Sequence, residues 1–391
     1  MIIMESTKFF SKLIIATFLS RPNRFIVECT LQDKPVRAYL PNPGRLWELF
    51  FPGTVLYLTK QNGSKAGKTE YTVVAVKRDD IPIMLHTHVN NLVARKLIEQ
   101  GNITGLENAT IVRSEVTIGH SRFDFQLKQG EKDVIVEVKS CTLFGNRIAM
   151  FPDAVTARGT RHLQELADLS RKGMKTAVLF IIHWPKADYF MPDYHTDLAF
   201  SRTLLAVKND VMIRALSVGW SRDLTLESCR ETQIPWNVIE QESLDRGSYL
   251  VILRVRNDCR LSINGLGEVR FRKGYYVYVD SAKKDLSKQI EHQRRRCKIC
   301  RHAIDQLRTA AEFHTAIAVR SSEHLACDIA DVLSVVTDWQ ISGFGSADCN
   351  CQGHLFGMTS DPVHNRSFVK VLQYFRIDRL DNYLELSPAR E

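Results

Sequence analysis

The chain predicts a multidomain protein of mixed α/β and α+β class, and three observations carry that expectation. Its 391 residues exceed what one ordinary hydrophobic core serves. Residues 21–78 break into short strand-like runs joined by turn chemistry. From about residue 110, strand-like and helix-period segments follow one another, the order expected of a sheet with helices packed on it.

The N-terminal runs are RFIVECTL, KPVRAYL, GTVLYLT and YTVVAVK, separated by PNPGRL, FPG and the polar tip QNGSKAGK. Several short strands in one small unit predict an OB-like barrel of the oligonucleotide/oligosaccharide-binding type over residues 1–88. The earlier run LIIATFL leads into Arg21-Pro22-Asn23-Arg24 and lacks a small-residue cleavage site, so it is expected to be a first strand or helix rather than a signal peptide.

A second, α/β domain is expected over 89–228. Asn90-Asn91 offer N-caps for LVARKLIEQ, with Gly101 as its stop. IVRSEVTI, SRFDFQLK and VIVEVKSCTL then read as three successive strands. Leu163, Leu166 and Leu169 mark a helix ending at Gly173, and AVLFIIHW reads as a buried strand. The polar stretch CRETQIPWNVIEQESLDRG suggests a linker over 229–246. A third domain, 247–391, opens with the strands SYLVILRV and KGYYVYVDS, with helix from Leu286 and through HAIDQLRTAAEF.

The formal charge of +9 favours polyanionic partners such as nucleic acid. The excess is uneven: residues 268–301 hold eleven Lys and Arg against four acids. No apolar stretch approaches the roughly 18 residues of a membrane span, and no solenoid repeat is present. Nine cysteines without an export signal suggest reduced thiols and a cytoplasmic setting.

The chemistry-bearing residues gather around VIVEVKS. Alternation places Glu137 and Lys139 on one face of a strand and Val138 on the other. Asp124, in SRFDF between Phe123 and Phe125, meets them if the two strands pair as a hairpin. Two carboxylates suit a hard cation such as Mg2+, or Mn2+ in its place, bridging a scissile phosphate. An ammonium beside them can hold the attacking water or offset phosphate charge. A structural ion pair is the competing account of the same residues.

RPNRFIVECTL, PNPGRLWELFFPG, SRFDF, VEVKSCTL, FPDAVTARGTRHLQEL and KTAVLFIIH resemble the sugar fermentation stimulation protein A (SfsA) family, in order, over about residues 10–220. The resemblance implies a barrel followed by a PD-(D/E)xK nuclease-like domain that binds DNA. By position it puts Asp124, Glu137 and Lys139 in the motif places, with Asp153, Arg158 and His162 in the adjoining signature. The family's Asn-Thr-Gly is Asn42-Pro43-Gly44 here. Arg24, Asn42, Arg45, Arg158 and His162 are then expected nucleic-acid contacts. For Asp153, a role at a helix N-terminus competes with a metal role.

GSYLVILRV and GYYVYVDSA, ahead of GFGSADCNCQGHLF, resemble the tyrosine strands of the GIY-YIG superfamily over about 247–357. Tyr249, Tyr278 and the later Glu323 take the motif places. Asp280 stands where a glycine is expected, and Gln289 where an arginine is. An arginine supplies transition-state charge that glutamine cannot. The expectation is a domain that binds rather than cuts, with Arg294 and Arg295 on phosphates.

Cys349, Cys351 and His354 form a short set of soft or borderline ligands. Zn2+ usually takes four. Cys297 and Cys300 could complete a site, or the thiols and imidazole could simply support a turn. The functional expectation is a Mg2+-dependent phosphodiester hydrolase acting on nucleic acid, with a non-catalytic DNA-binding regulator as the alternative.

Overall fold

The architecture was read from a computed structural model describing residues 2–61, 69–296 and 302–386. It divides into two compact units. The first comprises residues 1–193, 199–239 and 384–391, the second 194–198 and 240–383.

In the first unit, β1 (Ile2–Lys8) precedes six strands: β2 (Ile14–Asn23), β3 (Ile26–Leu31), β4 (Lys34–Tyr39), β5 (Val55–Lys60), β6 (Tyr71–Arg78) and β7 (Ile81–Met84). The order β4-β3-β2-β5-β6 closes on itself because Ala38 and Tyr39 pair in parallel with Tyr71 and Thr72, and β7 extends from β6. This is the expected OB-like barrel, closed by five strands. Alternating Ala16, Phe18, Val27, Cys29 and Ala38 fill its interior. Most of the tip QNGSKAGK, residues 62–68, lies outside the described residues.

The α/β part follows as α1 (Val89–Glu99), β8 (Thr110–Ile118), β9 (Ser121–Gln129), β10 (Lys132–Cys141), β11 (Leu143–Phe144), β12 (Ile148–Phe151), α2 (Ala157–Arg171), β13 (Lys175–Ile182), β14 (Tyr189–Pro192), α3 (Leu198–Val207), β15 (Met212–Trp220) and β16 (Thr225–Glu231). Its main sheet runs β1-β16-β15-β13-β10-β9-β8, with β10, β13 and β15 parallel at the centre. These central strands are covered on both faces and so are nearly continuously apolar. β1 pairs antiparallel with β16, so the first residues join this sheet rather than the barrel.

Helix α1 starts at Val89 with His88 at the N-cap position and no side-chain cap bond, so Asn90 and Asn91 sit in its first turn instead of capping it. Their amides are used elsewhere: Asn90 Oδ1 lies 2.7 Å from His183 Nε2, and Asn91 serves the site described below. Gly101 adopts φ +66° at the helix end, where a Cβ would sit 2.8 Å from the carbonyl of Glu107. The 229–246 segment, read as a linker, holds the short helix α4 (Trp236–Glu242). Pro235 starts it, accepting from the Ile239 N–H, and Val238 and Ile239 are buried. At seven residues, about two turns, such a helix is too short to show a period.

The second unit contains β17 (Gly247–Val255), the hairpin β18 (Cys259–Ile263) and β19 (Gly267–Phe271), β20 (Gly274–Ala282), α5 (Leu286–Arg294), α6 (Ala303–Ala310), β21 (Glu312–Arg320), α7 (Ala326–Val336), β22 (Trp339–Ile341), β23 (Leu355–Met358) and α8 (Arg366–Arg376). Its sheet is β21-β17-β20-β23-β22, antiparallel throughout. HAIDQLRTAAEF ends its helix at Ala310, and Glu312 and Phe313 open β21 instead.

Candidate active site and cysteine cluster

β9 and β10 form the expected hairpin. Their ladder pairs Lys132 with Gln129, Val134 with Leu127 and Val136 with Phe125, and stops there. One step on, Asp124 and Glu137 come opposite one another. The Asp124 side chain takes over from the ladder, its Oδ2 accepting the Val138 N–H at 2.7 Å. Oδ1 accepts from Asn91 Nδ2, also at 2.7 Å. Phe123 and Phe125 pack into different core clusters.

On β10, Glu137 and Lys139 share the face of Ile135, against which α2 packs with Leu163, Leu166 and Ala167. Thr156 caps that helix by accepting the Gly159 N–H at 3.0 Å. The first turn and a half of α2 thereby deliver His162, 2% exposed, to Glu137. Arg158 Nε donates to His162 Nε2 at 3.3 Å, which leaves Nδ1 to carry the proton toward Glu137 Oε1, 2.7 Å away. The Lys139 ammonium donates to the same Oε1. Glu137 Oε2 is buried with no hydrogen-bond partner.

The two carboxyls titrate apart. Burial, and then the Glu137 charge, pushes the Asp124 carboxyl up, against the pull of the Val138 and Asn91 hydrogen bonds. Burial also acts to raise Glu137, but the His162 hydrogen bond and Lys139 outweigh it and hold the group below the usual carboxylate range. One acid is thus secured as an anion and the other strains to become one.

Beside Lys139 and Asn91 opens a cavity of about 360 Å3, also walled by Arg24, Asn42 and Gly44 from the barrel and by Thr142 and Asp153. Arg24 is exposed on it. Asn42 is buried and folds its own loop, Oδ1 accepting the Gly44 N–H at 3.0 Å. A Cβ on Gly44 would stand 2.9 Å from Asp153 Oδ2. Asp153 lies three residues before the α2 cap at Thr156. Its Oδ2 accepts the Leu46 N–H at 2.7 Å, and its carbonyl accepts from Arg45 Nε at 2.7 Å, tying the barrel loop to the α/β domain. Arg45 also lies over the Trp47 ring, so its guanidinium is a fastener of this joint. Behind it, burial and the Asp153 charge push the Glu48 carboxyl up to about 8.

In the second unit the tyrosine strands pair antiparallel, Tyr249 opposite Asp280 and Val251 opposite Tyr278. Asp280 fills the missing glycine's place and accepts both hydroxyls on Oδ2, at 2.9 Å from Tyr249 and 3.3 Å from Tyr278. Burial first, then the Asp280 charge, raises both phenols. The helix residue facing them is Gln293, buried and bonded to Tyr249, whereas Gln289 is exposed. Glu323 pairs with Arg379 at 3.2 Å and is largely exposed. Arg294 and Arg295 are exposed, with Arg294 3.5 Å from Glu291. Part of the basic excess is paired locally, Arg270 with Asp258 and Lys288 with Asp285.

Cys349, Cys351 and His354 do converge, and α7 brings Cys327 to them. Cys297 and Cys300 lie outside the described residues. Cys327 and Asn91 were missed from sequence because each reaches its site from a helix remote in the chain. A check of every unassigned cysteine in the third domain would have been the available signal for the first.

The barrel region, residues 19–85, matches the SfsA N-terminal OB domain, and residues 88–223 match the sugar fermentation stimulation protein RE domain. Residues 248–376, the GIY-YIG-like region, match the domain of unknown function DUF123. A sugar fermentation stimulation protein homolog of Methanosphaera stadtmanae is 41% identical over 196 residues, 49% of this chain and 81% of that protein. The homolog of Moorella thermoacetica is 40% identical over 195 residues, 50% of this chain and 84% of its own. Among solved structures, Pyrococcus furiosus SfsA in complex with Ca2+ is 29% identical with a TM-score of 0.55, covering 60% of this chain and 99% of that one.

Proposed function

Because the chain belongs to the sugar fermentation stimulation protein family, with a DUF123 domain following the family's two domains in sequence, we propose that it binds nucleic acid and hydrolyses its phosphodiester bonds at a divalent-cation site of the PD-(D/E)xK type. The observation that carries this reading is Glu137 Oε2. A carboxylate oxygen buried without a partner, opposite a second carboxylate whose ionisation is penalised, is a poor structural ion pair and a good half of a cation site.

Asp124 and Glu137 would hold the ion, a hard cation suited to oxygen donors, Mg2+ with Mn2+ as a substitute. The relative from Pyrococcus furiosus was solved in complex with Ca2+, which fits such a donor set. When bound, the cation would polarise the scissile phosphate and favour ionised water. His162 fixes Glu137 as an anion and holds its carboxylate in one orientation. Lys139, at the cavity wall, would exchange its Glu137 bond for a water or a phosphate oxygen. Arg24 and Arg158, both exposed, would meet backbone phosphates, with DNA as the polymer to test first. The GIY-YIG-like domain is assigned to binding: a tyrosine acts as a base only as its phenolate, and burial beside Asp280 opposes that form.

Plasmid and oligonucleotide cleavage with Mg2+ or Mn2+, run on wild type and Lys139→Ala with binding measured in parallel, tests the reading. Cleavage that Lys139→Ala abolishes while binding persists supports it. Salt-sensitive binding with no cation-dependent cleavage by wild type would replace it with the DNA-binding regulator.

A further inference from the structure

We propose that Cys327, Cys349, Cys351 and His354 form a closed, structural zinc site that staples α7 and the loop 342–354 to the sheet of the C-terminal domain. The ligand atoms of all four residues lie within 4.8 Å of one another. A tetrahedral zinc with bonds of about 2.3 Å separates its sulfurs by roughly 3.8 Å, so only a small contraction is required. Three thiols and one imidazole are a full set for this ion, with no position left open for water.

The histidine is prepared for the role. His354 Nδ1 donates to the Val279 carbonyl at 3.1 Å, which leaves the Nε2 lone pair facing the thiols, 3.4 Å from Cys349 Sγ. A metal-ligating histidine ordinarily has its other ring nitrogen engaged in this way. The backbone of His354 is pinned too: its N–H donates to Phe344 and its carbonyl accepts from Val279.

The loop needs such a staple. Phe344 is its only buried apolar side chain, so apolar burial does little to hold it. Its turns are nevertheless tight. The Gly343 N–H donates to Gln352 at 2.7 Å, a Cβ on Gly345 would stand 2.7 Å from the Tyr278 ring, and one on Gly353 would stand 2.4 Å from the Ile341 carbonyl. The three clustered thiols are also only partly buried, unlike the core cysteines Cys29, Cys141 and Cys229, and so are not explained as apolar filling.

The site draws on none of the residues of the carboxylate site, so its test stands apart from that reading. Elemental analysis of the purified full chain is expected to find about one zinc per molecule. Cys327→Ser should lose that zinc, and Cys259→Ser, a thiol outside the cluster, should keep it. Should Cys327→Ser fail to fold, cobalt loaded into wild type supplies the second readout: thiolate charge-transfer bands and intense tetrahedral ligand-field bands. Cys327→His should retain metal with those bands weakened and shifted. Zinc near zero with no cobalt spectrum, zinc unchanged in Cys327→Ser, or a disulfide among the three cysteines in the purified protein would each overturn the assignment.

Discussion

In the α/β domain, Glu137 Oε1 gathers Lys139 and His162 while Oε2 stays buried and unpartnered; in the C-terminal domain, Tyr249 and Tyr278 both spend their hydroxyls on one oxygen of Asp280. Both pockets are built on adjacent antiparallel strands, and both resemble nuclease sites. They differ in unspent bonding capacity. The first has an anionic oxygen, an ammonium and a cavity beside them. The second has satisfied its reactive groups internally, which makes it a stable piece of sheet. Likeness to a catalytic motif says where groups lie, and their remaining valences say whether they are available to act.

The sharpest way to break this contrast is substitution at both sites. Lys139→Ala or Glu137→Gln should lower cation-dependent cleavage by roughly 10²–10³-fold, the usual scale for losing a charge-stabilising or acid–base group. Tyr249→Phe should leave the same rate unchanged. A large loss with Tyr249→Phe would move the chemistry to the C-terminal domain.

The next effect is on stability across the acid side of the barrel joint. Glu48, raised to about 8 in the folded protein, keeps a proton there that the unfolded chain has released. Its contribution is complete below the ordinary glutamate value and is lost as pH climbs to about 8. Wild type should therefore weaken relative to Glu48→Gln by roughly 1 kcal/mol per pH unit across that window, then level off. Urea denaturation at a series of pH values reads this directly, and parallel curves for the two proteins would refute it.

A subtler test sharpens the carboxylate site itself. Because Asp124 is raised, the fold favours its protonated form, and that preference is lost as pH rises through the raised value. Cation binding needs the ionised form. The thermal stabilisation by Ca2+ or Mg2+ should thus grow with pH above the ordinary aspartate range and vanish in acid, and Asp124→Asn should abolish it. A cation effect independent of pH would place the ion elsewhere.

The hairpin site was legible in sequence because its parts are local: a period of two fixes the facing of Glu137 and Lys139, and one turn sets Asp124 against them. The barrel was legible from its strands and turn residues, and α2 from its leucines. What escaped depends on distant partners. Asn90 and Asn91 resemble helix caps, yet tertiary hydrogen bonds to His183 and Asp124 claim them. Gln293 rather than Gln289 faces Tyr249, since the phase of a short helix is decided by what it packs on. Asp153 lies in a conspicuous signature and works as a joint. Cys327 could not be paired with its partners until α7 was placed.

β1 offers a practical lesson for handling the protein. Residues 2–8 are hydrogen-bonded along β16, whose other edge is occupied by β15. A shortened chain beginning after Lys8 would leave β16 as a bare sheet margin with its N–H and C=O groups open to any extended peptide. The first symptom of such trimming would be self-association, seen as concentration-dependent light scattering, with the core strands still folded. Fusion tags are accordingly safer with those residues left intact.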